Sequence, residues 1–160
     1  MSEQTILNCL KKQQSGSYGF GYINGDGFGN QFRLFTQATV SRIAVKMCRS
    51  GTPTGSMVAR LYTSNGDFAS PYAFADSQIA QSVNSLDVST LSESYEDIDF
   101  VFDDVVLAAG TYFFVVFSSS IDNETGYIRL AETDSTGAQF GYITVWDIEG
   151  GRWQSYNWWD

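Results

Sequence analysis

The residues best equipped for chemistry are carboxylates: Glu96, Asp97, Asp99, Asp103 and Asp104 lie close together, and glycoside hydrolysis needs only two well-placed acids. Their spacing argues against that use. Over residues 95–102, Ile98, Phe100 and Phe102 alternate with Asp97, Asp99 and Val101, which sets both aspartates on one strand face opposite an apolar one. That face is expected to be solvated. The chain contains no histidine, so His-based triads, imidazole acid–base work and His metal sites are all excluded. No glycine-rich phosphate loop followed by lysine occurs either. The protein is expected not to be an enzyme.

Metals and cofactors are equally unexpected. Asn24-Gly25-Asp26-Gly27 has the start of a calcium loop, but the later acidic ligands are missing and the same residues form a strong hairpin-turn signal. Cys9 and Cys48 match no metal spacing. Without a secretory signal they are expected as free thiols, Cys48 in the polar row of its strand.

Binding chemistry is better represented. Trp146, Trp153, Tyr156, Trp158 and Trp159 crowd the C-terminal end. Trp158 and Trp159 are neighbours, so in an extended chain they point to opposite faces. Three readings of the cluster stand: core packing, a protein interface, and stacking on a sugar ring. At the other end, residues 1–17 combine Ile6, Leu7 and Leu10 with the adjacent basic pair Lys11-Lys12. This segment reads either as a frayed terminus or as an N-terminal arm that orders on meeting a partner.

Charge and length narrow the partners. The net charge is −9, divided as +5 over residues 1–60 and −14 over residues 61–160. An acidic chain whose basic residues do not cluster beyond Lys11-Lys12 is a poor match for nucleic acid or an anionic membrane. The uneven division makes docking through opposite charges, including between copies, a fair expectation. No run approaches the ~20 apolar residues needed to span a bilayer. The first residues lack an apolar signal core, so a soluble protein made in the cytoplasm is expected. A chain of 160 residues is long enough to bury one core without staples.

The elements that position these residues read as strands. Aromatics make up 16% of the chain and there are 15 glycines against two prolines, a balance that favours β-structure with tight turns. Ile43, Val45 and Met47 alternate with Arg42, Ala44 and Lys46. Val40 and Cys48 share the polar parity. Ser50-Gly51-Thr52-Pro53-Thr54-Gly55 must then turn, and residues 57–63 alternate again, so a β-hairpin, or two adjacent strands joined across an exposed tip, is expected. Residues 18–22 place aromatics on one parity and glycines on the other, and burial of the rings is expected. Residues 111–117, TYFFVVF, are apolar on both parities and predict a central strand covered on both faces. Residues 82–94 read as a crossing loop pinned by Val83, Leu86, Val88 and Leu91, and residues 103–110 as the turn before the central strand. Nine or ten short strands without a long helix predict an all-β antiparallel β-sandwich, most naturally a jelly roll, over residues 18–160. Its core should hold Ile43, Val45, Leu61, Phe100, Phe102, Tyr112, Phe114 and Val116.

The order of these features has a counterpart. The strand from Gln31-Phe32, the alternating strand ending in Ser50-Gly51-Thr52-Pro53-Thr54-Gly55, Arg60-Leu61-Tyr62, Ser89-Thr90-Leu91-Ser92, Phe100-Val101-Phe102, Leu107-Ala108-Ala109-Gly110-Thr111-Tyr112-Phe113 and a late Trp153 form a series. Over roughly residues 30–160 it resembles the jelly-roll modules of bacterial surface proteins and phage structural proteins. Its motifs are turn and core motifs, which speak for fold more than activity. The resemblance implies a module that binds or decorates: a virion structural protein, such as a capsid decoration or tail accessory protein, oligomeric and docked on a capsid or tail lattice at the virion surface. A carbohydrate-binding module that meets glycans through exposed aromatics is the alternative.

Overall fold

A computed structural model of the chain describes residues 7–8, 10–11, 18–20, 27–68, 70, 72–118, 126–130, 132–133, 140–147 and 152–156; side chains are described over 27, 29–68, 70, 72–117 and 126–130. The strands in chain order are β1 (Leu7–Asn8), β2 (Leu10–Lys11), β3 (Tyr18–Phe20), β4 (Gly27–Leu34), β5 (Ala38–Gly51), β6 (Ser56–Ser64), β7 (Ala75–Gln81), β8 (Leu86–Asp87), β9 (Glu96–Leu107), β10 (Gly110–Ser118), β11 (Gly126–Leu130), β12 (Glu132–Thr133), β13 (Phe140–Asp147) and β14 (Arg152–Tyr156). One 3-10 turn, Val88–Thr90, follows β8. The protein is all-β, built on two sheets.

In the first sheet β5 is the spine. It pairs with β9 along one edge and with β11 along the other, and β3 continues beyond β11. The second sheet runs β14-β13-β4-β10-β6-β7, with β8 also on β6. These ladders are antiparallel. The exceptions are two-residue parallel pairings: Leu7 and Asn8 with Ala44 and Val45, and Leu10 and Lys11 with Glu132 and Thr133.

The core fills the space between the sheets, as the period-two burial of each strand requires. From the first sheet come Ile43, Val45, Met47, Phe100, Phe102, Ile128 and Leu130, and from the second Phe32, Leu34, Met57, Ala59, Leu61, Phe114 and Val116. Tyr112 is only partly buried: its ring packs on the cluster while its hydroxyl donates to the Ala108 carbonyl at 3.1 Å. A second, smaller cluster of Tyr62, Ala73, Ala75, Phe113 and Val115 covers the outer side of the second sheet. β10 is therefore buried on both faces, which explains its uninterrupted apolar sequence.

Three sequence expectations are corrected by this arrangement. β5 and β6 do not form a hairpin. They belong to different sheets, so the turn between them is an arch. Gly51 and Gly55 supply its positive φ of 74° and 117°, and Pro53 is buried within it. Secondly, the strand that starts at Glu96 runs on to Leu107, straight through the acidic pair expected to begin a turn. The β5–β9 register shifts between Val40 and Arg42, where Asp104 takes a φ of 40°, a conformation aspartate tolerates better than most side chains. Alternation is reset across this bulge. Val40, polar by parity, is buried in the core.

Thirdly, the crossing loop after β7 is pinned by Val88 and Leu91, both buried, with Leu86 packed partly against the core. Val83 is exposed. Asp87 stabilises the pinned turn by accepting from Ser89 N at 3.0 Å and Ser89 Oγ at 2.7 Å. These bonds lower its carboxyl below the usual aspartate value.

Candidate functional site

The carboxylates lie where alternation puts them. Asp97 and Asp99 sit on the outer face of the first sheet, exposed, Asp97 opposite Lys46 of β5 and Asp99 opposite Ala44, diagonal to Arg42. Arg42 Nη1 donates to Asp99 Oδ2 at 2.9 Å, and Lys46 Nζ stands 4.0 Å from Asp97 Oδ1. Both pairs are about half-exposed, so each contributes little to stability, on the order of 0–1 kcal/mol. Glu96, Asp103 and Asp104 are exposed too. No two of these acids converge on a cleft among the described residues.

The predicted docking segment is only partly described. Leu7 lies in β1, and Leu10 and Lys11 in β2, each held by a two-residue parallel ladder. Ile6 and Lys12 are outside the described residues, as are Cys9, Trp158, Trp159 and the Asn24–Asp26 turn. Of the aromatic cluster, Trp146 lies in β13, and Trp153 and Tyr156 in β14. The register sets Trp146 opposite Trp153 on one side and opposite Gly27 on the other, while Gly27 faces Phe117. The backbone positions of Trp153, Trp146, Gly27 and Phe117 thus form one row across four strands.

Around that row the second sheet is well covered. A Cβ on Gly27 would lie 2.6 Å from the Phe117 ring, so the missing side chain is what lets that ring settle over β4. Arg60 closes over the other side, its guanidinium carbon 4.5 Å from the Phe117 centroid and its Nε donating to Gln81 Oε1 at 2.8 Å. Tyr62 packs beside them at 6.2 Å, its hydroxyl pKa raised first by burial. Gln31 ties the loop after β6 down onto this face: its Nε2 donates to Ser64 Oγ and to the Asp67 carbonyl, both at 3.2 Å.

Sequence reasoning did not find a polar group on the outer face of the first sheet, at the end away from the ion pairs. Ile128 and Leu130 of β11 turn inward, so Tyr127 and Arg129 turn outward. The register sets Arg129 beside Cys48 on β5 and Gly19 on β3, and Tyr127 beside Ser50. Arg129 Nη2 donates to Tyr127 Oη at 2.6 Å, and its guanidinium carbon lies 5.2 Å from the Tyr127 ring centroid. That bond lowers the Tyr127 hydroxyl pKa and raises that of Arg129. Cys48 is buried despite its polar parity, and burial pushes its thiol up while Arg129 and a hydrogen bond from Tyr95 act the other way. The only signal in the sequence was parity, which cannot say what lies across a strand from Cys48.

Compared with protein-family models, with curated proteins and with solved structures, the chain finds no match.

Proposed function

We propose that the chain is a non-enzymatic virion structural protein of the jelly-roll type, a capsid decoration or tail accessory protein that docks as a homo-oligomer on a particle lattice. The observation that carries this reading is how the N-terminal segment joins the body. Its described contacts are two parallel ladders of two residues each. A hydrogen bond contributes about 0.5–1.5 kcal/mol net, whereas fixing one residue's backbone costs about 1–2 kcal/mol. Such ladders are marginal, so the segment is exchangeable between its own sheet and another surface. In a lattice groove, Ile6, Leu7 and Leu10 could each contribute about 1.5–3 kcal/mol by burial. Repeated attachment through an oligomer then offsets what one arm lacks.

Deleting residues 2–12 should leave the melting temperature nearly unchanged and weaken co-sedimentation with particles from the source. Unfolding of the truncated chain would show that the segment belongs to the fold. Absence of the protein from purified particles, read by mass spectrometry, would remove the virion assignment altogether.

A carbohydrate-binding module is the second reading. It is favoured by the row of Trp153, Trp146, Gly27 and Phe117. A glycan array in which Trp146→Ala and Trp153→Ala abolish a wild-type signal would establish it, and a blank array would remove it.

A further inference from the structure

The long strand β5 is filled along one side only. There β9 pairs with it from Ala38 to Met47. On the other side β11 reaches only from Gly51 to Met47, and β1 takes just Ala44 and Val45. Those two residues are also paired with β9, so β1 must lie on the β11 side. Among the described residues no strand occupies that side of β5 over residues 38–43. Alternate residues there turn their N–H and C=O groups away from β9, which makes the stretch a template for one more strand.

The register says which sequence fits. β1 runs parallel to β5, with Leu7 opposite Ala44 and Asn8 opposite Val45. Continued upstream, that register sets Ile6 opposite Ile43 and Thr5 opposite Arg42, two β-branched residues suited to a sheet. Ile43 is buried in the core and Arg42 is exposed on the outer face. An apolar residue thus meets the inward position and a polar one the outward position, as a specified register requires.

The tether and the charge say where that sequence can come from. Between β2 and β3 lie Lys12-Gln13-Gln14-Ser15-Gly16-Ser17, without an apolar side chain to pin them and able to span up to about 20 Å when extended. Residues 1–17 carry +1, which leaves −10 on residues 18–160. Two bodies therefore repel, and the basic segment is the part of one copy that another attracts. We propose that the open edge of β5 receives the N-terminal segment of a second copy of the chain, exchanged so that residues 5–8 of each lie along β5 of the other. Exchange of an identical element preserves every contact of the single copy and is a low-cost route to an oligomer. The proposal rests on the exchangeable segment of the docking reading above, and gives its homo-oligomer a joint.

The test uses the full chain in a Cys9→Ser, Cys48→Ala background, with Leu7→Cys in one set of copies and Ala44→Cys in another. Adjacent strands lie about 4.8 Å apart, inside the roughly 4.4–6.8 Å between Cα atoms that a disulfide bridges. The two sets are co-expressed, oxidised and run on a non-reducing gel, where a link between positions 7 and 44 can form only between copies. The expected result is a covalent dimer, at least tenfold more abundant than from Leu7→Cys with Ser77→Cys, a collision control on the exposed part of β7. One chain carrying both Leu7→Cys and Ala44→Cys should also give dimers. Closure of that chain on itself, with no dimer from the separate sets, overturns the exchange. A link from position 7 to a coat protein of the particle, and none to position 44, overturns it too and makes the acceptor another protein. If the cysteine variants do not fold, sedimentation velocity of the unaltered chain decides. Dimers or larger forms that deletion of residues 2–12 abolishes are expected; a strictly monomeric chain, or association untouched by the deletion, overturns the proposal. Co-sedimentation with particles is scored separately: a chain that joins particles without linking between copies loses the exchange alone, and the converse loses the virion reading alone.

Discussion

Asn84 takes the place of a neighbouring strand at the free edge of β9. Its Oδ1 accepts from Val101 N at 2.7 Å, its Nδ2 donates to the Asp99 carbonyl at 2.9 Å, and the adjacent Val83 N donates to the Val101 carbonyl at 2.8 Å. The loop that crosses between the sheets thereby occupies backbone groups that another chain's strand would otherwise find. β7, at the edge of the second sheet, is blunted differently: its ladder with β6 shifts register twice over seven residues. Bulges and side-chain plugs are both recognised defences against edge-to-edge pairing.

Asn84→Ala should therefore act twice. Loss of two partly solvated hydrogen bonds should cost about 1 kcal/mol in denaturant melts. Sedimentation velocity should also show self-association rising with concentration, because the edge is uncovered. A variant as monodisperse and as stable as the parent would show that water serves that edge as well as Asn84 does.

The two faces of β10 predict an unusual pair of results. Phe114 lies in the main core and Phe113 in the outer cluster, and both are buried. Phe114→Ala and Phe113→Ala should each cost about 3–5 kcal/mol, the range for truncating a buried phenylalanine. A one-sided sheet would lose that much at only one of them. A loss below ~1 kcal/mol at Phe113 would place it on an ordinary surface.

Gly29 and Gly66 should respond very differently to the same substitution. A Cβ on Gly29 would fall within the Phe114 carbonyl oxygen and 2.7 Å from Val115 Cα, both parts of the rigid β4–β10 ladder. On Gly66 it would meet the Ala73 Cβ at 3.2 Å, in a loop. Gly29→Ala should cost at least the ~1–3 kcal/mol typical of overpacking, and Gly66→Ala clearly less. Equal melting temperatures for the two variants would contradict the pairing of β4 with β10.

Cys48 gives a pH signature. Burial raises its pKa in the folded state, so the folded form holds its proton more tightly than the unfolded one. That contribution to stability is fully present below the unfolded thiol value of about 8.5 and is lost as pH rises through the higher folded value. Tyr62, also raised by burial, acts with the same sign above about 10. In a Cys9→Ser background, Cys48 should react with a thiol reagent only as fast as the protein opens, and Cys48→Ala should reduce the stability loss on the alkaline side of pH 8.5. Immediate labelling of the native protein would show that the thiol is not enclosed.

Local pattern made much of this legible. The rows Ile43-Val45-Met47 and Phe100-Phe102, the two-sided burial of β10, the solvated Asp97 and Asp99, and the glycine torsions at 51 and 55 all follow from alternation and turn chemistry. What stayed hidden is non-local. Parity counting carries no information about a bulge, so neither the burial of Val40 nor the continuation of β9 past Asp103 follows from it. Turn residues show that a chain reverses but not whether it returns to the same sheet, so the arch between β5 and β6 looked like a hairpin. Arg129 acquires its setting from β5 and β3, strands distant in sequence.

That arch has a consequence for how the protein is made. Its two strands cannot close on each other: β6 meets β7 soon after, but β5 must wait for β9 at residues 96–107. β4 is flanked by β10, which pairs Leu34 with Gly110, and by β13, which pairs Gly27 with Trp146. While the chain leaves the ribosome, Phe32 and Leu34 lack their described β10 partners until residues 110–112 emerge, and the other flank of β4 stays open until residues 140–146 do. At roughly 5–20 residues per second, that is several seconds with an apolar strand unpaired. Folding is set to be slow and largely post-translational, as for other sheets of high contact order. During that interval the nascent protein depends on chaperones, or on its own acidic second half, to avoid sticking to its siblings.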